Sequence, residues 1–236
     1  MSGIAAPSSP RYAIYFAPAP DSALWRFGSR AVGYDAATGR DAPFPDHPFY
    51  ASPSIAEWTE EPRRYGFHAT LKAPFSLAED ESEQALLSAV HDFAARRSGI
   101  LDVRLGVHAL GRFLALTPMN AQGEINRLAA DCVTAFERFR APLSDSDRAR
   151  RLKAPLTVLQ KDYLDRYGYP YVLDEFRFHM TLTGALSDDA RTAALAALRA
   201  LYQPIDAPTE LDAICVFRQE KRDSRFRILS RAPLLG

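Results

Sequence analysis

Two distant segments of the chain share the pattern Phe-His-x-Thr-Leu. His68 and Thr70 belong to the first copy, and His179 and Thr181 belong to the second. Because side chains alternate between the two faces of a strand, the His and Thr of each copy share one face, while the Phe and Leu share the other. The apolar face is expected to enter the core. Each strand would then present an imidazole and a hydroxyl to a cleft.

The elements around the two copies recur in the same order. A strand, a helix and a hairpin are predicted over residues 66–77, 79–97 and 102–116, and again over residues 175–186, 188–202 and 211–229. This order indicates an internal duplication. The predicted fold class is α+β, with two pseudo-symmetric lobes of antiparallel sheet and outer helices that face each other across a central groove. Within this single two-lobed domain, repeat one covers about 11–120, the connector about 121–167 and repeat two about 168–236.

The remaining segments carry weaker patterns. A strand is predicted at 11–17, a short helix at 21–30, and one connector helix at 124–139. A long irregular insertion, rich in Pro, Gly and aromatic residues, and a charged stretch complete the predicted elements, at 33–62 and 145–153. The insertion is a candidate lid. Residues 1–10 are interpreted as a short flexible lead without the features of a signal peptide.

Composition narrows the class of function. The 29 basic and 29 acidic residues balance, which argues against a protein that coats nucleic acid or an anionic membrane. Cys132 and Cys215 stand alone, so neither a disulfide framework nor a zinc site is indicated. No apolar run approaches the roughly 18 residues of a membrane span. We therefore expect a cytoplasmic protein whose phosphate contacts, if it makes any, are local.

Paired histidines suit the cleavage of a phosphodiester. One imidazole can activate the attacking oxygen and the other can protonate the departing one, since the unperturbed pKa of histidine is about 6.5. Thr70 and Thr181 would donate hydrogen bonds to the phosphate oxygens. Lys72, on the predicted face of His68, is a candidate cation for the phosphate, and Arg177 is a second candidate. Which histidine is the base stays open.

These segments resemble the 2H phosphoesterase superfamily, which is named for paired His-x-Thr/Ser-x motifs. His68-Ala69-Thr70-Leu71 and His179-Met180-Thr181-Leu182 match both motifs. The longer stretches 64–75 and 169–182 resemble a bacterial branch of unassigned activity, DUF1045, that is usually encoded beside phosphonate-utilisation genes. The resemblance covers about 11–233 and implies metal-independent cleavage of a cyclic or linear phosphodiester. It does not name the substrate.

Plainer interpretations stand beside these assignments. Tyr65 and Tyr171, like Tyr169, flank the two strands and could stack on a base or sugar ring, or could simply pack. Neither motif carries Asp or Glu on its cleft face, so we expect no metal and no cofactor. The basic run at 148–153 could touch a nucleic-acid backbone, but acidic neighbours favour a solvated connector.

Three functions follow from these observations. The leading hypothesis is a metal-independent phosphoesterase that acts on a small phosphorylated metabolite through the two histidines. A non-catalytic module that binds a nucleotide or phosphorylated metabolite is the first alternative. Processing of RNA ends with 2′,3′-cyclic phosphates is the second, and the balanced charge disfavours it. The oligomeric state is not predicted.

Overall fold

The computed structural model describes residues 9–236, so residues 1–8 of the predicted lead lie outside the described part. Within residues 9–236 the chain forms strands β1 (Arg11–Phe16), β2 (Tyr34–Asp35), β3 (Arg40–Asp41), β4 (Ala69–Ser76), β5 (Ile100–Val103), β6 (Leu105–Leu110), β7 (Phe113–Pro118), β8 (Met180–Thr181), β9 (Thr209–Leu211), β10 (Ala213–Gln219) and β11 (Arg227–Pro233). The α-helices of the same part are α1 (Ala23–Val32), α2 (Ile55–Tyr65), α3 (Glu83–Ala94), α4 (Gln122–Ala135), α5 (Asp145–Arg151), α6 (Val158–Tyr167) and α7 (Asp188–Tyr202). None of these helices combines the length and hydrophobicity that a membrane crossing requires.

A seven-stranded antiparallel sheet dominates the structure. Its strand order is β11-β10-β1-β4-β8-β7-β6. Helix α4 packs against β4, α7 packs against β6 and β7, and α3 packs against β10 and β11. The predicted α+β class, with antiparallel sheet and outer helices, is confirmed.

The hairpin of each predicted repeat pairs with a strand that carries or neighbours the motif of the other repeat. The hairpin of repeat one, β6–β7, pairs through β7 with β8, which carries the second His-x-Thr motif. The hairpin of repeat two, β10–β11, pairs through β10 with β1, beside the first motif. Each predicted repeat therefore contributes strands to both halves of one continuous sheet, β11-β10-β1-β4 and β8-β7-β6.

The core explains why the sheet forms in this register. Strand β1 is buried over almost its whole length, as its run of aromatic and β-branched residues predicts. Phe67 and Ala69 are fully buried beside the first motif, and Phe178 and Met180 are buried beside the second. The predicted alternation of an apolar and a polar face is thus present around both histidines.

The predicted irregular insertion, 33–62, contains a helix that the sequence analysis missed. Proline density argued against a helix, yet α2 includes Pro62. Proline has no N–H to donate to the carbonyl four residues earlier, which here is that of Trp58. The Gly184 N–H donates to the Trp58 carbonyl instead, at 2.6 Å. The Trp58 carbonyl, which has no helical partner, therefore links the insertion to the segment that follows the second motif.

Two further predictions need correction. The connector contains α4, α5 and α6 rather than one helix, and α5 is part of the predicted charged stretch. Its N-cap is Ser144, whose hydroxyl accepts from the Asp147 N–H at 3.1 Å. The second motif lies only partly on a strand, since β8 has two residues instead of the predicted 175–186. After β8 the N–H groups of Leu182 and Thr183 both donate to the Leu114 carbonyl, so regular pairing ends there.

A pair of glycines tests the packing beneath the first motif. A Cβ on Gly28, in α1, would overlap the ring of Phe67, the residue before His68, whereas a Cβ on Gly123, in α4, meets no atom within 4 Å. We expect Gly28→Ala to lower the free energy of unfolding by about 1–3 kcal/mol through overpacking. Gly123→Ala should raise it by about 0.5 kcal/mol. Urea denaturation of both variants measures this, and equal effects would contradict the described packing.

Candidate active site

The pairing of β4 with β8 brings the two motifs together. Ala69 pairs with Met180 in antiparallel register. This register sets His68 across from Thr181 and Thr70 across from His179. The two histidines are therefore diagonal neighbours on one face of the sheet, a relation that places two residues roughly 7–8 Å apart, with their Cβ atoms somewhat closer. Each histidine has the other motif's threonine beside it.

Both imidazoles are held in the same way. Nδ1 of His68 lies 2.9 Å from the carbonyl oxygen of Gly66, and Nδ1 of His179 lies 2.8 Å from that of Arg177. Because a carbonyl only accepts, each Nδ1 carries the proton and donates it. In the neutral ring the Nε2 atom is then an acceptor. Nε2 of His68 lies 3.2 Å from the Thr70 Oγ1, whose hydroxyl can donate to it.

His68 lies deep in the site. Its ring stacks on Tyr15 of β1, with ring centroids 3.8 Å apart and an interplanar angle of 21°. Burial lowers the pKa of His68 to about 4, with a further lowering from His179 and an opposing effect of the hydrogen bond to Gly66. Burial also raises the pKa of the Tyr15 phenol well above its ordinary value. Both rings are therefore neutral near pH 7.

An open cavity of about 470 Å³ exposes this face of the sheet. The two histidines and their threonines line it together with charged, aromatic and small residues of the neighbouring elements: Arg11, Tyr15, Glu61, Pro62, Tyr65, Gly66, Ala73, Pro74, Phe113, Arg150, Arg151, Tyr169, Thr183, Gly184 and Ala185. Among residues 9–236, no group of three or more His, Cys, Asp or Glu side chains is arranged to hold a metal ion. The cavity thus combines two imidazoles, hydroxyl donors and guanidinium groups.

The threonines differ in what they can offer a ligand. Thr70 and Thr181 line the cavity and are partly exposed. Thr183 is buried, and its Oγ1 accepts from the Leu114 N–H at 3.1 Å and donates to the Gly184 carbonyl at 2.9 Å. Its hydrogen-bonding capacity is used to hold the chain after β8.

Lys72 does not line the cavity, which corrects its predicted place beside the phosphate. Thr70 pairs with Tyr15 and Lys72 pairs with Ile14, so β4 has an extra residue at this point. Such a bulge turns the following side chain to the other face. The Nζ atom of Lys72 is buried, 2.7 Å from the Glu137 Oε2 and 3.1 Å from the Val133 carbonyl oxygen.

The other predicted binding residues divide into two groups. Tyr65 and Tyr169 line the cavity. Arg177 and Tyr171 are exposed and are not among its lining residues, because the chain approaches β8 without pairing and turns their side chains to the surface. Of Arg177, only the backbone carbonyl reaches the site, as the acceptor for His179.

Sequence reasoning missed the three arginines of the cavity. Arg150 and Arg151 belong to the basic run that was interpreted as a solvated connector, and Arg11 begins the first strand. The run of basic residues was a usable signal, but its position over the sheet depends on the tertiary fold. Tyr15, beneath His68, carried no signal beyond its place in an apolar strand.

The comparisons with known proteins identify the family. The chain belongs to the family described as "Protein of unknown function (DUF1045)", whose model matches residues 70–227. The match includes Thr70, His179 and Thr181, and it begins two residues after His68. The predicted resemblance to DUF1045 is therefore confirmed, and the association with phosphonate-utilisation genes stays a prediction.

Two curated relatives carry the same name, "Ribose 1,5-bisphosphate phosphokinase PhnN". The protein of Janthinobacterium sp. (strain Marseille) is 36% identical over 99% of this chain and 52% of its own length. That of Laribacter hongkongensis (strain HLHK9) is 33% identical over 92% of this chain and 50% of its own length. The chain therefore spans about half the length of these relatives.

The solved structures that match are more distant. TT0787 of Thermus thermophilus is 15% identical, with a TM-score of 0.47, over 96% of this chain and 98% of its own. A structure described as a phosphoesterase is 14% identical, with a TM-score of 0.42, over 98% of this chain and 100% of its own.

The lowered pKa of His68 makes stability depend on pH. The folded state binds this proton only below about pH 4, whereas the unfolded chain binds it below about pH 6.5. The free energy of unfolding should therefore fall as the pH drops from about 6.5 to about 4, by up to about 3 kcal/mol from this group. In His68→Gln this component is absent.

Urea denaturation of wild type and His68→Gln across this pH range measures the component. Carboxylates titrate alike in both proteins, so the difference between the two curves isolates His68. A difference that stays constant over the range would contradict the neutral, buried imidazole.

Proposed function

We propose that this chain is a phosphoesterase that cleaves a phosphodiester by acid–base catalysis with His68 and His179. The supporting observation is the diagonal placement of two imidazoles whose Nδ1 atoms are both bound to backbone carbonyls. Because Nδ1 is used in both rings, Nε2 is the atom of each that can reach a phosphate between them. In this proposal the Thr70 hydroxyl, which lies 3.2 Å from Nε2 of His68, turns to the phosphate when substrate binds. A proton acceptor and a proton donor on opposite sides of phosphorus are what an in-line displacement needs.

The two histidines take different roles in this proposal. His68 is neutral near pH 7, because burial lowers its pKa to about 4, so its Nε2 accepts the proton of the attacking water as the new P–O bond forms. Protonated His179 donates its Nε2 proton to the leaving alkoxide as the old P–O bond breaks. His68 then holds a proton taken from water and His179 has given its own proton to the product alcohol, and proton exchange with solvent restores both residues.

The charge of the phosphate is met by donors on the same face. The hydroxyls of Thr70 and Thr181 lie beside the imidazoles and would donate to the non-bridging oxygens. With both proton transfers and this stabilisation supplied by side chains, the proposed reaction needs no metal. Lys72 has no part in it, since its ammonium is paired with Glu137.

The name of the two curated relatives suggests a candidate substrate for the proposed reaction. The sequence contains no Gly-Lys pair, so the phosphate-binding loop G-x-x-x-x-G-K-[ST] of many kinases is absent from it. We therefore infer that the phosphokinase named for the relatives resides in the half of them that this chain does not match. Opening of a ribose 1,2-cyclic phosphate that carries a 5-phosphate, by cleavage at the 2-oxygen, yields ribose 1,5-bisphosphate. That diester, from phosphonate breakdown, is our candidate substrate.

Substitution of either histidine tests the catalytic proposal. With ribose 1,2-cyclic phosphate 5-phosphate or adenosine 2′,3′-cyclic phosphate as substrate, His68→Ala and His179→Ala should each lower kcat/KM by about 10²- to 10⁴-fold. The acid limb of the wild-type profile should lie near pH 4, where His68 gains its proton. Release of phosphomonoester, followed in the presence of chelator, is the measurement.

His91→Ala is the matched control. His91 is exposed, bonds to Ser230 at 3.0 Å, and lies outside the cavity lining. Full activity in both active-site variants would refute the catalytic roles. Tight binding of the diesters by wild type without any product would instead identify a binding module, and turnover only of RNA ends would identify the RNA enzyme.

A further inference from the structure

Three arginines line one end of the cavity and have no role in the proposed chemistry. Arg11, Arg150 and Arg151, which we call the arginine cluster, also line a smaller depression that continues from the cavity. Arg140 and Arg222 extend this depression, and Asp147 is its acidic member. Neither catalytic histidine borders it.

Two members of the cluster lack an anionic partner within the described residues. The guanidinium of Arg11 donates to the neutral side-chain oxygen of Gln219, with its Nε at 2.8 Å. Arg151 lies over the ring of Tyr169, 5.1 Å from its centroid, and its buried Nε has no hydrogen-bond partner. No ion pair within residues 9–236 includes Arg11 or Arg151. Burial lowers the pKa of both guanidinium groups. A partly buried cation without a counterion costs stability unless a ligand supplies the charge.

The acidic residue in the depression is already neutralised. Asp147 contacts Arg150 at 2.7 Å and also pairs with Arg222 at 2.5 Å. Arg222 holds the pKa of this carboxyl below its ordinary value. Because Asp147 balances only one of these positive charges, the end of the cavity keeps an excess of positive charge.

The cluster lies at a fixed distance from the histidines. Arg11 precedes Tyr15 by four residues on β1, so their Cα atoms are about 13 Å apart in an extended strand. Tyr15 is the ring on which His68 stacks. The long side chain of Arg11 spans part of that distance. Tyr65 and Tyr169 line the same cavity as the arginine cluster and the histidines. The remaining gap suits the two ends of one small molecule.

We propose that Arg11 and Arg151, assisted by Arg150, bind a second, terminal phosphate of the substrate while the histidines hold its diester. This inference rests on the proposed function and assigns the residues that would recognise the second phosphate of its candidate substrate. Guanidinium groups suit this ligand because they donate several hydrogen bonds in a plane to phosphate oxygens. A cavity of about 470 Å³ matches a sugar with two phosphates better than a nucleic-acid strand.

A matched pair of substrates tests the second site. Ribose 1,2-cyclic phosphate is compared with and without a 5-phosphate, using wild type, Arg151→Met and Arg11→Met. For the phosphorylated diester each variant should raise KM by about 10- to 100-fold with little change in kcat, as expected for the loss of a charged hydrogen bond. For the 5-hydroxyl compound the kinetic constants should stay at the wild-type values.

Arg148→Met is the control for the loss of one arginine. Arg148 lies in the same helix, α5, but is exposed, pairs with Asp165 at 2.7 Å and lies outside the cavity lining. Its variant should treat both substrates as wild type does. If Arg11→Met does not fold, Arg151→Met decides the result. Equal losses for both substrates in Arg151→Met would overturn the proposal.

A binding measurement separates this inference from the proposed function. Calorimetry with ribose 5-phosphate should give equal affinity for wild type and for His68→Ala, and at least 10-fold weaker affinity for Arg151→Met. This result supports the phosphate site even if no diester is cleaved. Undiminished affinity in Arg151→Met would overturn the site even if the diesters are cleaved.

Discussion

A single antiparallel contact, that of Ala69 with Met180, creates the site. It joins the two halves of the sheet and at the same time places His68 diagonally opposite His179. The other residues that line the cavity surround the face of the sheet on which this contact lies. Strand β7 fixes the short strand β8 from the other side, through the pairing of Ala115 with Thr181. Because β8 has only two residues, its position depends on these neighbours rather than on its own length.

The segments around β8 supply the support that so short a strand lacks. The Leu114 carbonyl accepts from the N–H of Leu182 at 2.9 Å, and the Thr183 hydroxyl bonds back to the same stretch of β7. Helix α2 reaches the following residue, since Pro62 leaves the Trp58 carbonyl free for Gly184. The insertion that interrupts repeat one therefore also positions the second motif. A proline inside α2 therefore has a physical reason, because it leaves free the carbonyl that holds the segment after β8.

The two ends of the cavity divide the work in our proposals. At one end, backbone carbonyls orient both imidazoles and burial keeps His68 neutral, which suits proton transfer. At the other end, Arg11 and Arg151 remain without acidic partners in the described part of the chain, which suits the capture of a phosphate. Local capture of this kind is compatible with a chain whose 29 basic and 29 acidic residues cancel.

The sequence by itself predicted most of the elements and nominated the residues to which we assign the chemistry. Two identical patterns with period-2 alternation were sufficient to predict His68, His179 and their threonines, and α7 has the predicted bounds. Local patterns could not predict the bulge that removes Lys72 from the site, because an extra residue in β4 is defined only by its pairing with β1. Local patterns also could not predict that Arg150 and Arg151 line the cavity, or that each hairpin pairs with a strand that carries or neighbours the other repeat's motif. Strand pairing and the packing of distant segments decided those features, since both depend on contacts between residues far apart in the chain.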